Sequence, residues 1–165
     1  MPEKKTVERA REAKREGKSP STQAGEFVRE EIHHIREGKH GASSPEQAIA
    51  IGLSKARRAG VDLEPPEKGE ASEEMRRQAK RDLKKGDHPR RKPSAKRSRA
   101  STKRLKRRPR TAASKKSLSS HAKKASRRRS ASDRSEAARK ASRTKGPAAR
   151  SRAAKKAART RAKRK

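Results

Sequence analysis

Apolar side chains over residues 19–63 recur at the spacing of a helix face, and the residues that punctuate them are those that start and stop helices. In SPSTQAGEFVREEIHHIREG, Ala24, Phe27, Val28, Ile32 and Ile35 form one apolar face, Ser19 or Ser21 can cap the start, and Gly38 stands where a terminating glycine belongs. A second helix is signalled by SPEQAIAIGLSKARRAG. There Ser44, Pro45 and Gln47 supply the N-cap, the first-turn proline and a capping-box partner; Gly60 ends the helix and Val61 can close a Schellman contact. Ile49, Gly52, Leu53 and Ala56 share a face while Ile51 lies on the other side, so this helix is apolar around more than half its start and needs cover. The short connection GKHGASS suits an antiparallel helical hairpin.

Two flanking helices carry narrower patterns. In the N-terminal arm, residues 1–18, the segment Thr6–Glu16 offers only Val7, Ala10 and Ala13 as a stripe. It is expected to be solvated, with Glu8–Arg11 and Glu12–Arg15 pairs along its surface. After an extended linker, Asp62–Gly69 with Pro65 and Pro66, the region 64–88 ends in an amphipathic helix. Met75, Ala79 and Leu83 are its apolar stripe; Arg76, Lys80 and Lys84 form a second stripe and Arg77, Arg81 and Lys85 a third. Glu73 and Glu74 suit its positive end.

Charge divides the chain where hydrophobicity stops. The 165 residues hold 53 Lys/Arg against 19 Asp/Glu, a net charge of +34. Residues 1–88 contain 20 Lys/Arg and 17 Asp/Glu, whereas residues 89–165 contain 33 and 2. Of the 13 Leu, Ile, Val and Phe residues only Leu105 and Leu118 fall in the second part. Repelling cations with so little to bury do not offset the entropy of ordering, so 89–165 is expected to be a disordered basic tail. The fold class that follows is mostly α: a short helical hairpin with flanking helices, then a long disordered tail.

The tail contains a repeat. SSHAKKASRR (119–128), SEAARKASRT (135–144) and SRAAKKAART (151–160) start 16 residues apart. Each begins with Ser, a natural N-cap, and continues in good helix formers, so each predicts a short helix once its charges are neutralised. In the first, Lys123 aligns with Arg127 and Lys124 with Arg128; the equivalents are Arg139, Lys140 and Arg143, then Lys155, Lys156 and Arg159. Together with the α-helical stripes of Arg76–Lys85, these are the expected contacts to nucleic-acid phosphates. Gly146–Pro147 breaks the array between the second and third copies.

Other chemistries find little support. With no Cys, Trp or Tyr, and Phe27 the sole aromatic, thiol catalysis, Cys-type zinc sites and aromatic base-stacking platforms are excluded. No P-loop, dinucleotide fingerprint, HExxH or nucleophile elbow is present, so no catalytic residue and no cofactor is assigned. Glu30–His33 and Glu31–His34 have the Glu-x-x-His spacing of carboxylate-bridged metal sites, but such a site needs matching ligands from partner helices, no other segment carries the motif, and the group reads as a solvated charged face without metal. A helix-turn-helix reading would make Ser44–Ala59 a recognition helix with Gln47 on an adenine edge; Ile and Ala stand where bases would be read. Arg107-Arg108-Pro109-Arg110 is a weak match to a minor-groove hook, lacking its glycine. The longest apolar run, Ala48–Ile51, is too short to span a membrane.

The stretch EFVREEIHHIREGKHGASSPEQAIAIGLSKARRAG, Glu26–Gly60, resembles a family of small basic bacterial proteins that carry a domain of unknown function. The resemblance implies a bacterial intracellular protein and brings no activity or site residue with it. The tail is similar in composition to the arms of linker histones and histone-like nucleoid proteins. The function expected from all this is non-enzymatic, histone-like binding of nucleic acid, DNA in preference to RNA, through the phosphate backbone and without sequence specificity. The expected location is cytoplasmic, at the nucleoid, with a homo-oligomer formed through the hairpin. An RNA- or ribosome-associated protein, and a protein-binding adaptor localised by its tail, are the alternatives.

Overall fold

A computed structural model describes residues 2–86 and 94–162, and all regular structure among them is helical. In order these are α1 (Lys4–Arg15), α2 (Pro20–Arg36), α3 (Pro45–Arg58), α4 (Glu73–Gly86), α5 (Ala95–Lys106), a 3₁₀ turn (Thr111–Ala113), α6 (Lys115–Arg128) and α7 (Ala131–Ala162). Contacts divide the chain into two units, Met1–His121 and Ala122–Lys165. The expected boundary at 88/89 lies outside the described residues.

In the first unit α2 and α3 form the predicted hairpin. Ser44 Oγ accepts from Gln47 N at 3.3 Å, and Gln47 Oε1 accepts from Ser43 N at 2.6 Å, so the capping pair closes one residue earlier than the standard box. At the other end Gly60 takes φ +88°, Val61 N donates to Ala56 O and Gly60 N to Arg57 O. This is the Schellman pattern, and Val61 is buried as its hydrophobic partner. The α2/α3 contact is close because Gly52 faces Val28: a Cβ at 52 would lie 2.7 Å from Val28 Cα.

Two small cores result. Ala10, Ala24, Phe27, Ala56 and Val61 make one, flanked by Val7, Leu53, Ala59 and Leu63. The other joins Ile35, Ala42 and Ala48 to Ala112 and Ala113, with Ile32 beside them.

Several expectations need correction. Helix α1 is not solvated: Thr6, Ala10 and Ala13 are buried against α2, because their small side chains let the two backbones approach, and its ion pair runs between helices, Arg9 Nε to Glu26 at 3.1 Å. On α4 the buried positions are Ala79 and Asp82, while Met75 is 52% exposed, so the Met75/Ala79/Leu83 stripe does not define the packed face. Asp82 turns this face inward by polar bonding: Ser54 Oγ donates to Asp82 Oδ2 at 2.7 Å, and Arg58 Nε lies 3.4 Å from Oδ1. Glu30 and Glu31, expected on a solvated face, are both buried.

The largest difference concerns the basic region. Residues 94–162 form helices and one 3₁₀ turn, where a disordered tail is expected, and part of that region packs. Gly41 N donates to Leu105 O, Ala42 N to Pro109 O, and Arg36 Nε to Ala113 O at 2.9 Å. The weak hook sequence Arg107–Arg110 is therefore part of a strap seated on the α2–α3 loop. Counting only large apolar residues hides this, because alanine fills a shallow site as effectively as leucine fills a deep one. The rest of the region is helical for want of stop signals: Ala, Lys and Arg are all good helix formers.

Candidate nucleic-acid interface

The cations of α4 stand on a helix whose inner face is fixed by Ala79 and Asp82, which turns Arg77, Lys80, Arg81, Lys84 and Lys85 outward to solvent. Arg76 differs. Its Nε donates to Pro66 O at 3.1 Å and its Nη1 to Glu73 at 2.7 Å, so it pins the linker and is committed within the protein. The Glu73 carboxyl is held below its ordinary range chiefly by that arginine's hydrogen bond and charge. Arg57 plays a similar internal part at the end of α3, donating to Leu63 O and Glu64 O; burial depresses its pKa against the opposing charge of Asp82.

In α6 and α7 every predicted phosphate contact is exposed: Lys123, Lys124, Arg127 and Arg128, then Arg139, Lys140 and Arg143, then Lys155, Lys156 and Arg159. Pairs four apart stand on one side of their helix, one turn from each other. The repeat is visible in backbone detail, but in a different phase. Ser119, Ser135 and Ser151 lie inside helices; the caps are Ser114, which accepts from Ser117 N, and Ser130, which accepts from Asp133 N while Asp133 accepts from Ser130 N. The Ser130 hydrogen bonds hold the Asp133 carboxyl below its ordinary range. Sixteen residues after Ser130, Gly146 takes φ +67° and ψ 167° before Pro147 and interrupts α7. Helical pieces thus start after positions 114, 130 and 146. Thr144 and Thr160, equivalent in the repeat, each bond the carbonyl four residues back, at Lys140 and Lys156.

Sequence reading did not single out α5. Its Lys103 and Arg104, with Arg107 and Arg108 beyond its end, line an open basic hollow. The signal was present in the spacing of Lys96, Arg99, Lys103 and Lys106, one face of a helix, but was hidden in a region counted only for charge. Gln47, the residue that a recognition-helix reading would place on a base, is engaged in capping α3.

A separate group of possible ligand atoms sits within the hairpin: Glu31, His34 and His40 each offer one atom, all within 4.8 Å of one another. Among the described residues no helix is long and apolar enough to cross a membrane. Comparisons with protein-family models, curated proteins and solved structures find no match to this chain.

Proposed function

We propose that this protein is a non-enzymatic, histone-like binder of nucleic acid, DNA in preference to RNA, that coats the phosphate backbone without reading bases. The observation that carries the reading is the balance of residues 89–165, where 33 cations face two carboxylates, Asp133 and Glu136. Exposed cations on short helices displace condensed counterions, a sequence-independent source of affinity. In this reading the segments beyond His121 are disordered in free solution, because like charges at i, i+4 oppose the helix, and become helical when phosphates neutralise them. The chain acts in the cytoplasm at the nucleoid, in keeping with the histone-like arms its composition resembles.

The test is binding of random duplex DNA across a salt series, by the full chain and by a chain ending at His121. The shorter chain keeps Ala112 and Ala113 and so keeps its core, but loses 19 of the 53 cations. Affinity should fall by orders of magnitude with salt for the full chain, with a shallower log–log slope for the short one. Equal slopes would show that residues 122–165 do not touch phosphate. Crosslinking in cells, followed by separate DNase and RNase digestion, distinguishes DNA from RNA by which enzyme releases the protein.

A further inference from the structure

We propose that Glu31, His34 and His40 form a binding site for a divalent transition-metal ion of the zinc class, built into the hairpin. Glu31 is fully buried on α2, and His34 and His40 have side chains only 13% and 15% exposed. Neither Glu31 oxygen receives a well-directed hydrogen bond. Lys55 Nζ lies 2.5 Å from Oε2, and His40 Nε2 lies 3.1 Å from Oε1. The opposite ring nitrogen of His40, Nδ1, is 3.3 Å from the Gly41 carbonyl, an acceptor that only a protonated nitrogen can satisfy. In the neutral ring the lone pair is then on Nε2 and faces the carboxylate, acceptor against acceptor. A cation between them removes the conflict.

His34 is prepared in the same way. Its Nε2 lies 2.8 Å from Glu3 Oε1 and donates its proton there, which puts the ring's lone pair on Nδ1. A histidine oriented by a carboxylate on its outer nitrogen is the usual second sphere of a metal site. Charge argues in the same direction. Glu30 and Glu31 are both buried and share one ammonium, Lys55, at 3.5 and 2.5 Å, so the pocket holds an excess of negative charge. Two imidazoles and one carboxylate are a donor set for zinc, cobalt or nickel rather than for magnesium or calcium, and three protein ligands leave a position for water. The 3.1 Å separation of His40 Nε2 and Glu31 Oε1 is near the ~3.3 Å edge of a tetrahedron with bonds of about 2.0–2.1 Å.

The untagged full chain, freed of metal with a chelator, should bind one Co²⁺ per molecule with a visible d–d band. Zn²⁺ should displace the cobalt and raise the melting temperature of the hairpin. His40 is on the connecting loop, so His40→Ala should leave the fold intact by circular dichroism and abolish the band. Glu3→Gln, which removes only the orienting carboxylate, should weaken binding about 10–100-fold. His33→Ala, outside the cluster and paired with Glu37, should change nothing. Absence of stoichiometric Co²⁺ and Zn²⁺ binding by the wild-type chain overturns the proposal, as does a band that survives in folded His40→Ala.

Discussion

Gly52 carries more of the hairpin than its missing side chain suggests. The α2 backbone at Val28 occupies the space a Cβ would need, at 2.7 Å, so Gly52→Val forces the helices apart. Overpacking of this kind costs about 1–3 kcal/mol, and thermal unfolding followed by circular dichroism should show the corresponding drop in melting temperature. The sequence placed Gly52 correctly on the apolar face of α3, but it could not reveal which atom of α2 arrives there, because that depends on how the two helices cross. Asp82 was less legible still. A carboxylate in a run of Arg and Lys reads as solvated, yet it accepts from Ser54 and pairs with Arg58 inside the α3/α4 contact. Asp82→Ala should cost about 1.5–3 kcal/mol by removing the charged acceptor of the half-buried Ser54 hydroxyl, and hydrogen exchange should quicken in α4 before it does in α2.

Helix ends were the most readable elements: Ser44, Pro45, Gly38 and Gly60 all act where their chemistry placed them, since capping depends on residues within a few positions of each other. Tertiary burial is less legible, with α1 and Glu30–Glu31 buried on faces of polar sequence, because a partner helix changes what a short side chain or a paired charge can bury. One end makes a pH prediction. The Glu46 carboxyl, first of all through its own backbone N–H in the first turn of α3 and then through His121, is lowered to about 2. A depressed carboxylate stabilises the fold fully above its unfolded value near 4.5, and that contribution is lost as pH falls from there toward 2. Carbon-detected NMR titration of Glu46 should find the low midpoint, and His121→Ala should raise it only in part, since the backbone contribution remains. In the basic region the 16-residue period was legible but its phase was not: with Ala, Lys and Arg on both sides of Ser119 and Ser135, nothing local stops a helix there, and the actual starts are set by Ser114, Ser130 and Gly146.

At the scale of the molecule, the apolar excess that pointed to a second copy is covered in part by the chain itself, through α4 and the Ala112–Ala113 turn. A chain ending at His121 should therefore melt like the full protein, whereas one ending at 88 should lose several degrees, because Ile35, Ala42 and Ala48 are uncovered; scanning calorimetry compares the two. Self-association through the hairpin remains a proposal, and Ile51→Asp tests it: sedimentation equilibrium should show dissociation if Ile51 lies at a homo-oligomer interface, and no change if the half-buried side chain faces water. The breaks at Ser130 and Gly146 bear on what the basic region can embrace. Each helical piece of about 14 residues is about 21 Å long, shorter than the ~34 Å turn of a duplex. An unbroken rod of three such pieces would lie tangent to a curved strand and leave its ends idle. Pieces joined at regular joints can change direction every two-thirds of a turn, so the same cations can follow a bent or looped polymer; replacing Gly146 and Pro147 together by alanine would stiffen one joint and should weaken binding to a small DNA circle more than to a straight fragment of equal length.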